Sequence, residues 1–435
     1  MVGGAGARFV KRALLRLLNT GVWADGVKNW TCLSAPTTSS KDLRVPVDAI
    51  VAIPACNESL RIERCLDACL HSAIRSGANV RLVILVNGTS DDTASRALSW
   101  SRRRCCPITL VDVDFVPALA HAGAARRLAL DVACLHARTN TALLTTDADA
   151  QPTPSWIAAN LAQLHQGAHL VCGHVALDPV ESAQLLAQVE AVGRIEARYG
   201  LAARELTHLL DPDPCNPWPH HGQTAGASLA IRAGDLATVG GIPLVACGED
   251  RALAHRVRAS GLNVVHAHDV EIEVSCRLRG RAAGGMADAL RERTRHPDPV
   301  CDESLEPAAA LRTRIAGRAW LRLRWARTGE RHAALIRLGS DGELASRLAR
   351  VSQFEEVWYR FEEAIYHPGR VRLRASDLHR ELPALMSLLD AARNHRPGVD
   401  DPFTIVDRHA DMPDVCGGIP PGAMHPAVFT DRENA

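Results

Sequence analysis

Short apolar segments alternate with longer amphipathic segments between residues 47 and 177. Five of the apolar segments are rich in Val, Ile and Leu, as expected of strands buried on both faces of a sheet: VDAIVAIPA, VRLVILVNG, ITLVDVD, TALLTTDAD and HLVCGHVAL. Helical periodicity runs between them, over residues 60–76, 93–102, 117–137 and 155–166. The alternation predicts an α/β fold with a mostly parallel sheet flanked by helices.

A second, shorter α/β pattern follows a breaker-rich segment. Helical sequence continues from Pro179 to about Leu210 and ends in DPDPCNPWPHHGQ, whose prolines and glycine exclude regular structure. This segment is predicted to be either a functional lid or a plain surface connection. GASLAIRAG and NVVHAHDVEIEVS then predict two strands, with a helix over residues 251–259 between them.

The strand signals fade beyond Pro299, where residues 306–393 form Arg-rich and Leu-rich amphipathic helical patterns. The last segment is rich in Pro, Gly and Asp. These changes predict four regions: an N-terminal arm with a basic amphipathic helix (1–45), the α/β domain (46–299), a C-terminal helical extension (300–395) and a loosely ordered tail (396–435).

Composition excludes some classes of protein. The 50 Lys and Arg residues balance 49 Asp and Glu residues, so a net charge of +1 provides no global field for nucleic acid. Thirteen cysteines without a CxxC pair, and without an apolar signal segment, predict reduced thiols and a cytoplasmic protein. No apolar run has the length of a membrane span. Peripheral membrane contact is open for ARFVKRALLRLLNT, although docking of this helix on its own protein is the favoured interpretation.

Polar side chains follow three of the predicted strands. Asn57 and Glu58 follow the first strand, Asn87 follows the second, and Asp147 and Asp149 follow the fourth. Ligands of α/β sheets bind in the crevice beyond the carboxyl ends of the strands, so these side chains are candidates for a ligand site. Each has a competing structural interpretation, because Asn, Asp and Glu also cap or begin the helix that follows a strand.

Two carboxylates separated by one small residue suit a hard divalent cation, Mg²⁺ or Mn²⁺, that also contacts a diphosphate. Asp147 and Asp149 have this spacing, and His266 and His268 alternate along a predicted strand and therefore face one side of it. His268 is the candidate third metal ligand, with a purely structural histidine as the alternative. The chain lacks GxGxxG after the first strand and lacks GxxxxGK[ST], which disfavours a dinucleotide oxidoreductase and a P-loop phosphotransferase.

Seven motifs follow one another in order: VAIPACNE, LVNGTSDDT, GAARRLAL, LLTTDADA, AGASLAIRAG, VGGIPLVACGEDRALAHRVRASG and CRLRGRAAGG. In this order and spacing, residues 47–290 resemble the family 2 glycosyltransferases of the GT-A fold. The resemblance implies a GT-A-type domain over residues 46–299 and a hexosyltransferase-like activity. Such an enzyme moves a sugar from a nucleotide-diphosphate-sugar donor to an acceptor with inversion, and depends on a divalent cation.

The resemblance also implies roles on the donor side. Asn87 stands where the family commonly has an aspartate that contacts the base or ribose, so this contact would be a neutral hydrogen bond. Arg126 matches a basic residue that orders the pocket or approaches phosphate. Asp147 and Asp149 match the Asp-x-Asp motif, in which the second carboxylate contacts the metal most directly. The implied nucleoside pocket is lined by Pro54, Asn57 and Glu58.

On the acceptor side, Glu249 and Asp250 match an acidic pair in which the aspartate is the general base. Their competing interpretation is that acids in a first helical turn stabilise the helix dipole. Arg277 and Arg281 lie in an Arg-Gly segment suited to binding a diphosphate, with a solvated basic turn as the alternative.

Two other functions stay open at this point. A nucleotidyltransferase also uses acidic metal ligands beside a nucleotide, but PACNESLRI is a poor match to the glycine-rich, basic loop that it needs. A non-catalytic protein of the same fold would bind a nucleotide sugar or carbohydrate without turnover. The transferred sugar, the base, the acceptor and the oligomeric state do not follow from the sequence.

Overall fold

The structure, a computed structural model, describes residues 5–34, 46–280 and 284–394. The predicted tail and part of the N-terminal arm lie outside these residues. The strands of the described chain are β1 (Val27–Ser34), β2 (Ala49–Ala55), β3 (Val80–Asn87), β4 (Ile108–Phe115), β5 (Ala142–Thr145), β6 (Gln151–Pro152), β7 (Leu170–Leu177), β8 (Leu229–Arg232) and β9 (Val264–Val274).

The helices of the described chain flank these strands and continue beyond them. They are α1 (Ala5–Leu18), α2 (Val22–Gly26), α3 (Ile62–Ser76), α4 (Thr93–Arg104), α5 (Ala122–Cys134), α6 (Trp156–His165), α7 (Pro179–Ser182), α8 (Ala187–Leu210), α9 (Ala233–Thr238), α10 (Glu249–Ala259), α11 (Met286–Arg295), α12 (Ala308–Trp325), α13 (Arg331–Arg337), α14 (Gly342–Leu348), α15 (Phe354–Ile365) and α16 (Ala375–Asn394).

One mixed sheet contains all nine strands of the described chain, in the order β1-β4-β3-β2-β5-β8-β7-β9-β6. Strands β4, β3, β2 and β5 are parallel and form its centre. Strand β8 is antiparallel to β5 and β7, whereas β9 is parallel to β7. Because the central strands are parallel, the carboxyl ends of β2, β3 and β5 meet at one edge, where a ligand crevice is expected.

The predicted α/β architecture is confirmed, and the five predicted strands correspond to β2, β3, β4, β5 and β7. The sequence pattern missed β1 and β6. Strand β1 pairs antiparallel with β4 at one edge of the sheet, and Lys28, Asn29 and Thr31 interrupt its apolar pattern. Strand β6 has only two residues and pairs with β9 at the other edge. Edge strands are exposed on one side, so their sequences carry a weaker apolar signal than central strands.

The sheet separates two apolar cores. One core packs the sheet against α3, α4 and α6, through residues such as Leu66, Trp100 and Trp156. The other packs the sheet against α1, α5 and α10 and includes Leu14 and Leu18. These two leucines of the basic N-terminal helix are fully or almost fully buried. The helix therefore packs on its own protein, as the favoured interpretation of the sequence has it.

The predicted C-terminal helices form two further cores. Helices α12 and α16 pack against α8, and α13, α14 and α15 pack around Trp320, Trp325 and Phe361. Helix α8 lies before β8 and β9 in the chain but packs against α12 and α16 of the extension. The α/β region and the extension therefore share a core, and the domain boundary at residue 299 stays a prediction. No helix of the described residues is long and apolar enough to cross a membrane. The twelve cysteines in the described ranges are free thiols.

Candidate active site

A cleft of about 440 Å³ lies beyond the carboxyl ends of β2, β3 and β5. The loops after these strands form one side of it, and the segment before β8, the start of α10 and the segment after β9 form the other. Nine residues predicted from the sequence line this cleft: Pro54, Glu58, Asn87, Arg126, Asp147, Asp149, Glu249, Asp250 and Arg277.

Arg126 on α5 connects the two sides of the cleft. Its Nη2 donates to Asp147 Oδ1 at 2.7 Å, and its Nε donates to Glu249 Oε1 at 3.0 Å. Its Nη1 donates to Thr145 Oγ1 and to the carbonyl oxygen of Gly226. Burial alone would lower the pKa of Arg126, but Asp147 and Glu249 raise it above the usual value. The buried guanidinium therefore stays charged and holds the Asp-x-Asp motif and the acidic pair at a fixed separation.

Gly226 makes room for this guanidinium. A Cβ atom at this position would lie 2.5 Å from Arg126 Nη2, which is closer than real side chains approach. The carbonyl oxygen of Gly226 accepts from Arg126, while its backbone N–H donates to Asp250 Oδ2 at 2.9 Å. A glycine is needed here because the backbone itself approaches the buried arginine.

Arg277 makes a second bridge between carboxylates, on the other side of the cleft. It follows β9 and donates to both oxygens of Glu58, with Nη1 at 2.6 Å from Oε2 and Nη2 in a short contact with Oε1. The same Nη2 lies 2.9 Å from Asp149 Oδ2. Glu58 is 5% exposed, and its backbone N–H donates to Thr93 Oγ1. Arg277 therefore connects the predicted nucleoside pocket to the Asp-x-Asp motif.

The cleft carries more acids than bases. Five carboxylates line it, against the three guanidiniums of Arg126, Arg251 and Arg277, and Arg251 is paired with Glu303. The pKa of Asp149 is raised to about 7, chiefly by burial and then by the neighbouring Asp147, while Arg277 acts in the opposite direction. A buried carboxylate beside another carboxylate gains from an added positive charge.

Glu249 and Asp250 occupy the first turn of α10, and both line the cleft. The carboxylate of Glu249 accepts a hydrogen bond from Arg126, and the cap residue of the helix is Gly248. Asp250 accepts from the N–H of Gly226 and, at 2.7 Å, from the N–H of Arg251. Burial raises the pKa of Asp250, and the neighbouring Glu249 adds to the rise, against the lowering effect of these N–H groups and Arg126. Both side chains line the cleft while Asp250 also bonds to the first turn of the helix, so the catalytic role of the pair stays a prediction.

The chemistry of the cleft fits a divalent cation only in part. Asp147 Oδ1 is bonded to Arg126, but its side chain remains 39% exposed. Asp149 also offers a carboxylate, although one of its oxygens contacts Arg277. Within the described ranges, no group of three or more His, Cys, Asp or Glu side chains has the arrangement of a metal site. The two aspartates fit a hard cation whose remaining ligands are phosphate oxygens and water.

Asn57 does not line the cleft but joins the first two loops. Its Oδ1 accepts from the backbone N–H and the hydroxyl of Ser90, at 2.8 and 3.2 Å. Its backbone has a φ of +53°, in the left-handed region that asparagine tolerates. Helix α3 begins at Ile62 with Arg61 as its cap residue, so Asn57 is not the N-cap either. Asn57 therefore connects the loops after β2 and β3 through its hydrogen bonds with Ser90 and does not line the cleft itself.

His268 is not brought to the cleft. Its ring lies 5.2 Å from that of His221 and 6.2 Å from that of His174, measured between centroids. Alternation along a strand identifies the face of the sheet but not the distance from its carboxyl edge, so the sequence pattern did not locate this side chain. Arg281, the other predicted diphosphate ligand, lies outside the described residues.

The breaker-rich segment 211–223 is irregular, as predicted, and is bonded to the sheet. Asn216 Nδ2 donates to the carbonyl oxygen of Val264, and Asn216 Oδ1 accepts from the N–H of His266. Gln223 Oε1 accepts from the N–H of Val175 at 2.8 Å. These bonds favour a fixed connection over a lid, and only the residues that follow it, 224–227, line the cleft.

Sequence reasoning missed other residues of the cleft. Gly226 has a clear signal in retrospect, because it lies in the AGASLAIRAG motif directly before β8. His121 lines the cleft and caps α5, where its Nδ1 accepts from the N–H of Ala124 at 3.2 Å. Cys247, two residues before Glu249, lines the cleft as an exposed thiol and lies in the motif that contains the acidic pair. Nothing in the sequence around His121 distinguishes it from an ordinary surface position.

Comparison with known families gives a match over residues 50–188, to the model described as glycosyl transferase family 2. The match extends from β2 to the start of α8 and includes Glu58, Arg126, Asp147 and Asp149. It ends before Asp250 and the other residues of the acceptor side. No curated protein sequence matches the chain.

Three of the solved structures that match this chain have TM-scores of 0.35 to 0.40. A mannosyltransferase from Pyrobaculum calidifontis, in complex with GDP-Man and Mn²⁺, is 16% identical, with 90% of this chain and 96% of that chain covered and a TM-score of 0.38. Glucosyl-3-phosphoglycerate synthase from Mycobacterium tuberculosis is 18% identical, with 60% and 82% covered and a TM-score of 0.35. TarS of S. aureus, in complex with UDP-GlcNAc, is 11% identical, with 74% and 92% covered and a TM-score of 0.40. Similarities at this level identify neither a donor nor an acceptor for this chain.

The sheet of nine strands and its flanking helices define an α/β domain. Residues 50–188 of this domain match the model of glycosyl transferase family 2. This agrees with the resemblance seen in the order of the sequence motifs.

Proposed function

We propose that this protein is a glycosyltransferase that moves a sugar from a nucleotide-diphosphate-sugar donor to an acceptor with inversion, and that it depends on a divalent cation. The observation that carries the proposal is the convergence of Glu58, Asp147, Asp149 and Asp250 on one cleft. These residues come from three separate parts of the chain, the loop after β2, the loop after β5 and the start of α10, as the resemblance to family 2 glycosyltransferases implies. A hexose as the transferred sugar and a cytoplasmic location remain predictions.

The donor is proposed to lie along the loops after β2 and β3. Pro54 and Asn87 line this part of the cleft, and the amide of Asn87 offers a neutral donor and acceptor to a base or ribose. The buried Glu58 is held by Arg277, which keeps the carboxylate in one orientation. Asn57 fixes the shape of the pocket through its bonds to Ser90.

The charges in the cleft support a requirement for a cation. Five carboxylates already exceed the three guanidiniums that line the cleft, and a donor diphosphate adds further negative charge. Asp147 and Asp149 would hold Mn²⁺ or Mg²⁺ together with oxygens of the donor. When bound, the cation supplies positive charge that stabilises the leaving diphosphate.

Asp250 is proposed to be the general base. Two backbone N–H groups orient its carboxylate, and it lines the same cleft as the Asp-x-Asp motif. Burial and Glu249 raise the pKa of Asp250, which brings a carboxylate closer to the pKa range in which it removes a proton efficiently. The acceptor nucleophile would attack the anomeric carbon of the donor from the side of Asp250, which takes its proton. A single displacement of the nucleoside diphosphate inverts the configuration at that carbon.

A screen of donors tests the proposal. The full chain is incubated with UDP-, GDP-, ADP-, CDP- and dTDP-activated sugars, each with Mn²⁺ or Mg²⁺, and both the melting temperature and the released nucleotide are measured. At least one donor is expected to raise the melting temperature and to be hydrolysed slowly without acceptor. Stabilisation without turnover, with or without added acceptors, would favour a binding protein. No response to any donor would contradict the proposed function.

A further inference from the structure

The two arginine bridges of the cleft differ in how easily they can break. Arg126 is 4% exposed, and three of its four hydrogen bonds go to groups other than Asp147. The side chain of Arg277 is 15% exposed and bonds only to Glu58 and Asp149 among the side-chain partners in the described chain. Release of Asp149 breaks one contact of Arg277 and leaves its bidentate pair with Glu58 intact.

We propose that Arg277 competes with the divalent cation for Asp149, so that the cleft binds the cation tightly only when a nucleoside diphosphate is present. This inference rests on the proposed function and concerns the order in which its ligands bind. Arg277 acts here as a positioning residue that exchanges one partner for another.

The competition follows from the shared atom. Nη2 of Arg277 lies 2.9 Å from Asp149 Oδ2, so the guanidinium neutralises the carboxylate that a cation at the Asp-x-Asp motif would use. A cation that arrives alone competes with this guanidinium for the negative charge of Asp149, and the other carboxylate of the Asp-x-Asp motif is bonded to Arg126. Within the described residues, no group of three or more His, Cys, Asp or Glu side chains is arranged to hold the cation by itself, so oxygens of a second ligand are needed to complete its coordination.

A diphosphate changes this balance in two ways. Its oxygens supply the cation with the ligands that Asp147 and Asp149 do not provide. They also accept a hydrogen bond from the N–H of Arg277 that no longer contacts Asp149. Glu58 keeps the guanidinium in the cleft during the exchange, because both of its oxygens accept from Arg277. Cation and diphosphate therefore bind with positive coupling, and by linkage each raises the affinity for the other by the same factor.

The test measures Mn²⁺ binding to the full chain by electron paramagnetic resonance of free Mn²⁺, without nucleotide and with saturating UDP or GDP. Wild type is expected to bind Mn²⁺ at least about fivefold more tightly with the nucleotide, the lower end of typical couplings. Arg277→Gln removes the competitor. It is expected to bind Mn²⁺ at least about fivefold more tightly than wild type without nucleotide, and to lose most of the coupling.

Two variants serve as controls. Arg279→Gln removes the same charge from the same segment, at an exposed position that does not line the cleft, and is expected to match wild type. Arg277→Lys keeps the charge and is expected to restore part of the coupling, which a general loss of structure would not do. The proposal is overturned if Arg277→Gln leaves the Mn²⁺ affinity without nucleotide unchanged while its melting temperature remains that of wild type. This arm needs no nucleotide, so it stays informative even if no nucleotide binds and the proposed function fails.

Discussion

Asp250 Oδ2 accepts a hydrogen bond from the backbone N–H of Gly226 at 2.9 Å, and the carbonyl oxygen of the same glycine accepts from Arg126. One peptide segment therefore orients the proposed base and the arginine that holds the Asp-x-Asp motif. Catalytic geometry in this cleft depends on the backbone before β8 as much as on the acidic side chains.

Asp250→Asn is expected to lower kcat by about 10²–10⁴-fold, the usual contribution of a general base. The amide keeps the size of the side chain and an acceptor for the N–H of Gly226, so donor binding should persist. The change also removes a carboxylate whose pKa is raised by burial. An ionised carboxylate of this kind lowers the stability of the fold at neutral pH, so the melting temperature should not fall. Turnover and the donor-induced rise in melting temperature are the measurements, with the exposed Asp269→Asn as control. Undiminished turnover would exclude Asp250 as the base.

The pH dependence of the reaction should also reflect the ionisation of Asp250. Burial, and then Glu249, raise the pKa of Asp250. A base with a raised pKa becomes protonated at a higher pH than an ordinary aspartate, so activity is expected to fall on acidification before ordinary aspartates titrate. The measurement is kcat against pH in wild type and in Glu249→Gln at saturating donor and cation, because Asp149, with a pKa of about 7 in the free protein, would add its own acidic limb to kcat/KM. In the variant the acidic limb should move to lower pH, because one source of repulsion is removed. An identical limb in both proteins would contradict this cause.

The sequence predicted that side chains after the central strands meet at one cleft, because local patterns determine where those strands end. Glu58, Asn87, Asp147 and Asp149 each follow a strand of the parallel centre, and parallel strands bring their carboxyl ends together. The order of strands and helices follows from the same periodic patterns. Edge strand β1 was missed because half of its residues face away from any core.

The bridges between these residues were not predictable from local patterns. Arg277 and Glu58 are 219 residues apart in sequence, and Arg126 and Glu249 are 123 residues apart. Such pairs are selected by the packing of the whole sheet, which also decides that His268 meets His174 and His221 instead of the cleft. A motif identifies a candidate charge, whereas only the fold determines its partner.

Gly226→Ala is expected to displace Arg126, because the new Cβ would lie 2.5 Å from Nη2 of its guanidinium. Overpacking of this kind costs about 1–3 kcal/mol of stability, and the shift should also lower turnover because Asp250 and Asp147 lose their fixed separation. Chemical unfolding and steady-state kinetics measure the two effects.

Gly193→Ala is the matched control, since nothing lies within 4 Å of its Cβ position on α8. The control should gain about 0.5–1 kcal/mol, as expected for alanine in a helix. Equal behaviour of the two variants would contradict the role given to Gly226.

Arg126→Met tests the buried bridge itself. The change leaves Glu249, which is 7% exposed, without its charged partner. Breaking a buried pair in this way is expected to cost about 3–5 kcal/mol of the free energy of unfolding. Arg96→Met, which breaks the exposed pair with Asp92, should cost less than about 1 kcal/mol.

The double variant Arg126→Met with Glu249→Leu separates stability from function in this bridge. It removes the unpaired buried carboxylate, so part of the lost stability should return. Turnover should stay low, because Asp147 still lacks the guanidinium that Arg126 directs to its Oδ1 at 2.7 Å. Unfolding curves and kinetics of the four proteins in this cycle measure both quantities. Recovery of turnover together with stability would mean that Arg126 acts only by balancing the charge of Glu249 and does not position the Asp-x-Asp motif.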